Sequence, residues 1–133
     1  MITSHEAAAH AFAQAISRQD VAALAELMTE NHRFIDSLGN VVEGREKMRA
    51  GWAGYFRMVP DYTIAIEETY SHGAVVVMIG SAQGTYAPGG ELREENRWQT
   101  RAAFRAVIKD GKVAEWRVYA DNEPIRKLMA KGR

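Results

Sequence analysis

His32 to Met48 reads HRFIDSLGNVVEGREKM, and this stretch decides how the rest of the chain is understood. Polar and apolar residues alternate as far as Asp36, the pattern breaks at Leu38-Gly39-Asn40, and a helical spacing begins at Gly44. A strand therefore ends on an acid, turns, and gives way to a helix. Glycine and asparagine tolerate left-handed backbone while Asp and Ser side chains bond their own backbone, so Ser37 to Asn40 reads as the turn. Two readings of Asp36 stay open. It is either an acid that shapes the turn or a carboxylate set at the mouth of a site, with His32 and Phe34 on the same strand face.

Upstream, Thr3 and Glu6 have the spacing of a capping box, which starts a helix whose Ala8, Phe12, Ala15 and Ile16 share a face and which ends near Arg18. Asp20 caps a second short helix carrying Val21, Leu24, Leu27 and Met28. His5 and His10 flank Glu6 but stand five apart. At about 100° per residue that turns them off a common face, so they read as two solvated histidines and not a metal pair.

Downstream of the turn, Met48, Trp52, Phe56 and Val59 form the apolar stripe of a third helix, with Tyr55 as its polar handle, ended by Pro60-Asp61. Tyr62, Ile64 and Ile66 then alternate with polar residues. Ser71-His72-Gly73 reads as a turn, and Val75 to Ile79 as a β-branched strand. Pro88-Gly89-Gly90 marks the one long loop.

The last hairpin carries Trp98, Thr100, Ala102, Phe104, Ala106 and Ile108 on one face of its first strand, against Arg97, Arg101 and Arg105 on the other. Ala114, Trp116, Val118 and Ala120 face inward on its second strand, with Glu115 and Arg117 outward. For the two apolar faces to coincide, even-numbered residues must oppose even-numbered ones. That parity suggests a three-residue loop, Lys109-Asp110-Gly111, which sets Phe104 opposite Trp116 and Arg105 opposite Glu115. Pro124 opens a final helix with Ile125, Leu128 and Met129 on its apolar side, and Lys131-Gly132-Arg133 is expected to fray.

The 133 residues suit a single domain over 1–133, and 47% hydrophobic content suffices for a core. Seventeen Lys and Arg balance 17 Asp and Glu, which gives no field to attract nucleic acid or an anionic membrane. The absence of cysteine excludes thiolate chemistry and disulfides. With no leader pattern and no long apolar run, a cytoplasmic location is expected.

The strand, Asp-x-x-Gly turn and Gly-started helix of residues 32–48, with helices before and two hairpins after, resemble the nuclear transport factor 2-like superfamily. The likeness is to its SnoaL-like and ketosteroid-isomerase-like branch and runs from about residue 4 to 130. The resemblance implies an α+β cone in which a curved, mainly antiparallel sheet wraps around N-terminal helices and encloses an apolar pocket. Phe12, Phe34, Trp52, Tyr55, Phe56, Trp98, Phe104, Trp116 and Val118 are then expected to bind a ligand, and Asp36 and His32 are the candidate catalytic residues.

Asp36 aligns with the general base of the steroid isomerases. The positions that carry their oxyanion donors fall here on Phe12 and on Ala102-Ala103-Phe104. Losing one such donor costs two to three powers of ten in rate, so steroid isomerase activity is not expected. Where the limonene epoxide hydrolase branch carries an acid, this chain has Val118. The implied protein is a binder of an apolar small molecule that acts, if catalytic, as a cofactor-independent isomerase or cyclase through Asp36. The alternative is a non-catalytic binder or assembly module. The resemblance also implies a homodimer formed through the sheet.

Overall fold

The computed structural model describes residues 2–131. Helix α1, Ser4–Ser17, begins with the expected reciprocal cap: Thr3 Oγ1 accepts from the Glu6 N–H at 3.0 Å and the Glu6 carboxylate accepts from the Thr3 N–H at 2.9 Å. Helix α2, Val21–Leu27, starts at Asp20, whose carboxylate accepts from the Ala23 N–H. Met28, expected in that helix, instead opens strand β1, Met28–Ile35, and is fully buried. A helical pattern and a strand start share this residue, because one buried apolar side chain satisfies both spacings.

Beyond the Asp36 turn the chain forms a short strand the residue pattern did not suggest: β2, Val41–Glu43, paired antiparallel with Arg33 to Ile35. Its three residues are all exposed, so it has no inward-outward alternation to reveal it. Gly44, at φ +109° where side-chain-bearing residues are strained, starts helix α3, Arg45–Met58. Two long hairpins follow, β3 (Thr63–His72) with β4 (Val75–Thr85), then β5 (Arg97–Lys109) with β6 (Lys112–Ala120). Helix α4, Glu123–Lys131, ends the described chain and turns Ile125 into the core. Of the expected fraying end Lys131-Gly132-Arg133, Lys131 still belongs to the helix, and the last two residues lie outside the described ones.

The strands form one six-stranded sheet in the order β2-β1-β6-β5-β4-β3, antiparallel throughout except where β1 runs parallel to β6. Helix α1 packs across β3 to β6, and α3 packs on β1 and β2. The result is the expected α+β cone, with a curved, open sheet around the helices.

Both hairpin turns differ from expectation. The first is made by Gly73 and Ala74, since His72 pairs with Val75 and so belongs to the strand. The second has two residues, Asp110 at φ 52° and Gly111 at φ 76°, with Lys109 facing Lys112. Such a turn alone would oppose even to odd. Parity is restored by a bulge on β6: Ile108 pairs with Val113 and Val107 with Glu115, which leaves Ala114 as the extra residue. Val113 thus takes the inward place expected of Ala114, and is fully buried.

Downstream of the bulge the faces are as anticipated, but the partners slide by two. Phe104 opposes Val118 and Ala106 opposes Trp116. Phe104 and Trp116 remain diagonal neighbours and stack at 5.5 Å. Arg105 faces Arg117, yet its guanidinium reaches diagonally to the Glu115 carboxylate at 2.8 Å.

Candidate functional site

Between α3 and the inner face of the sheet lies a cavity of about 320 Å³, within the size range of small-molecule sites. Its wall is an unbroken arc of five rings. Phe34 on β1 meets Trp52 on α3 edge-on at 5.9 Å, Trp52 meets Tyr55 at 6.3 Å, Tyr55 meets Tyr62 at 5.0 Å, and Tyr62 meets Trp98 on β5 at 6.0 Å. Helical spacing puts Trp52 and Tyr55 on neighbouring positions of one face of α3, and the pleat of β5 turns Trp98 inward toward them. Val118 and Ala82 supply aliphatic wall, and Asp36, Ser37 and Asn122 its polar part.

Five of the nine expected ligand-binding residues, Phe34, Trp52, Tyr55, Trp98 and Val118, therefore meet at one cavity. Phe12, Phe56, Phe104 and Trp116 do not line it. Phe12 and Trp116 are in contact at 4.7 Å with no exposed surface, Phe104 stacks on Trp116, and Phe56 backs Trp52 at 5.4 Å. These four fill the closed part of the cone as packing. The inward faces were read correctly; how deep the packing reaches before space opens is a property of side-chain volumes across several elements.

Asp36 does reach the cavity wall, and its carboxylate is also the hub of the turn. Oδ1 accepts from the Leu38 N–H and the Asn40 N–H, both at 2.9 Å, and Oδ2 accepts from the Asn40 side-chain amide at 3.1 Å. Partial burial pushes the carboxyl upward, but the bonds from Asn40, Leu38 and Gly39 together outweigh it and hold the group below the usual aspartate range. Asp36 is thus a fixed anion at the cavity.

His32 is not on the cavity wall. It is wholly enclosed, stacked on Phe12 at 5.8 Å, and its Nδ1–H donates to the Val113 carbonyl at 2.7 Å, while Nε2 has no partner among the described residues. Burial pushes its pKa down against the Val113 bond and the Glu115 charge, so the ring is neutral at pH 7. Strand alternation placed it inward with Phe34, correctly. It packs at the Phe12 and Trp116 level, away from the Asp36 turn.

Several lining residues were not among those expected, Ala82, Asn122 and Tyr62 among them, and Tyr62 is the one that adds a ring to the wall. It continues the apolar row of Ile64 and Ile66, and its only distinguishing signal there was a hydroxyl in an aliphatic series. Trp52 and Trp98 also line the cavity, but their indole N–H groups are shut off from solvent and have no partner among the described residues. Each is a cost of about 1–3 kcal/mol, and a ligand would reach either one only by displacing a neighbour.

Among curated proteins none matches this sequence. Several solved structures share its fold. A protein of Shewanella putrefaciens CN-32 assigned as a SnoaL-like polyketide cyclase superposes with a TM-score of 0.82 at 17% identity, covering 98% of this chain and 88% of that one. An epoxide hydrolase of M. tuberculosis, described as LEH-like, gives 0.79 at 17% identity over 98% and 92%. An NTF2-like protein of Cytophaga hutchinsonii gives 0.70 at 16% identity over 95% and 96%. At these identities the likeness is one of fold. The model of the SnoaL-like domain matches residues 9–116, from the middle of α1 to the inward Trp116 of β6, and the chain belongs to the SnoaL-like domain family.

Proposed function

We propose that this SnoaL-like domain binds a flat, largely apolar small molecule in the cavity beneath α3. The observation that carries the reading is the arc of five contiguous rings, Phe34 to Trp98, around a space of about 320 Å³. Aromatic walls of this kind present large area at low entropic cost and favour planar ligands through offset and edge contacts. No cofactor enters the proposal.

A second reading is a cofactor-independent isomerase or cyclase in which Asp36 moves a proton at a carbon beside a carbonyl, favoured by the position of that carboxylate on the cavity wall. The turn bonds that lower its pKa count against it, because a general base works best with a pKa near the working pH. Val118 on the same wall, where the hydrolase branch carries an acid, counts against epoxide opening.

Deuterium exchange into cyclic ketones and enones separates the readings. A binder takes up the ketone in wild type and in Asp36→Asn without promoting exchange. Exchange that is catalysed by wild type and lost in Asp36→Asn, with binding retained, would establish the proton-transfer reading in its place. The fold should tolerate this substitution at a cost of about 1 kcal/mol, since the asparagine carbonyl still accepts both backbone N–H groups and only the bond from the Asn40 amide is lost.

A further inference from the structure

We propose that the hydroxyls of Tyr55 and Tyr62 form a paired anchor for a carbonyl oxygen, so that the cavity selects a flat, uncharged ketone over the matching hydrocarbon or carboxylate. This deepens the binding reading and rests on it. Tyr62 is 7% exposed, Tyr55 is half-buried, and both line the cavity with their rings perpendicular at 5.0 Å. Neither hydroxyl is bonded to another described residue. Neither belongs to the closed-off polar atoms, in contrast to the indole nitrogens of Trp52 and Trp98 beside them. A phenol set among apolar rings, with an O–H open to the cavity and unused by the protein, is free to donate to an acceptor bound there.

Both groups are held in place by means other than their hydroxyls. Tyr62 donates its backbone N–H to the Val59 carbonyl at 3.2 Å, and its own carbonyl accepts from the Gln19 side-chain amide. The Tyr55 carbonyl accepts from the Val59 N–H at 2.8 Å, which ties both tyrosines to the same helix end. Burial raises both phenols above their ordinary value, so each stays protonated and acts as a donor. The anionic Asp36, which shares the polar part of the wall with Ser37 and Asn122, disfavours a carboxylate in the same space. Two donors, five rings and one fixed negative charge together describe a neutral aromatic molecule bearing an acceptor oxygen.

The test uses three probes with one ring system: 2-acetylnaphthalene, 2-ethylnaphthalene and 2-naphthoate, titrated calorimetrically into the whole protein. The ketone is expected to bind about tenfold tighter than the hydrocarbon, with the carboxylate weakest, and its carbonyl infrared stretch is expected to shift down on binding. In Tyr62→Phe, and further in Tyr55→Phe/Tyr62→Phe, the ratio of ketone to hydrocarbon affinity should fall toward one. Equal affinities in wild type, or a preference that survives the double substitution, would overturn the anchor while leaving an apolar binding site. An unshifted carbonyl stretch in wild type would overturn it even if the variants failed to fold. If none of the three bound, the anchor and the binding reading would fall together.

Discussion

His32 is a titratable group in a place where charge is not tolerated. Its imidazole is enclosed against Phe12, bonded only through Nδ1, and held below its ordinary pKa by burial. The unfolded chain takes up a proton near 6.5, whereas the folded chain does so only at lower pH, so the unfolded state binds more protons in that window. Stability is then greatest above this range and is lost as pH falls through it. Urea midpoints measured between about pH 7 and pH 5 should decline in wild type and decline less in His32→Phe. Parallel profiles for the two proteins would refute this account. At this scale the residue pattern was informative about direction: it turned His32, Phe34, Trp52, Trp98 and Trp116 inward, and all are wholly or partly buried. It was silent on which inward residues meet a void, since Trp98 and Trp116 carry the same signal in sequence and differ only in what the opposite wall contributes.

At the scale of elements, capped helices were legible because the caps are local. Thr3 with Glu6, Asp20, and Gly44 each act within one turn of chain. Hairpin registers were less so, because a bulge trades a turn residue for a strand residue without altering parity, as Ala114 does on β6. A second irregularity lies between Ile66 and Glu68 on β3, opposite Gly80 and Ile79. There the two backbones approach so closely that a Cβ on Gly80 would stand 1.7 Å from the Ala65 carbonyl oxygen. Gly80→Ala should therefore destabilise the protein by at least about 2 kcal/mol in denaturant titration, whereas Gly89→Ala, where nothing lies within 4 Å, should stay within about 0.5 kcal/mol. Similar losses at both sites would mean that β3 can move away at little cost.

On the whole molecule, the outer face of the sheet is unlike the inner one. Glu115 lies between Arg105 at 2.8 Å and Arg33 at 3.4 Å, Arg101 pairs with Glu67 at 2.8 Å, and Tyr119, 48% exposed, lies under the Arg117 guanidinium. We propose that this face joins two copies of the chain, because a surface carrying both charge signs and an exposed aromatic can complement itself across a two-fold axis. Sedimentation should give a dimer at high micromolar concentration, reduced to monomer by Tyr119→Glu; a monomer at all concentrations would remove the proposal.

The parallel pairing of β1 with β6 joins Arg33 to Glu115 and Ile35 to Arg117, residues from opposite ends of the chain. Hairpins close short loops and form early, while this pairing must close most of the polypeptide, at an entropic cost not repaid until the contacts are made. It is accordingly expected to form late in folding. The cavity wall draws Phe34 and Asp36 from one side of that seam and Trp98 and Val118 from the other, so it comes into being only when the seam closes. A bound molecule should then slow the unfolding limb of a chevron and leave the refolding limb unmoved. Occupancy would act on how long the native state lasts, and not on how fast it is reached.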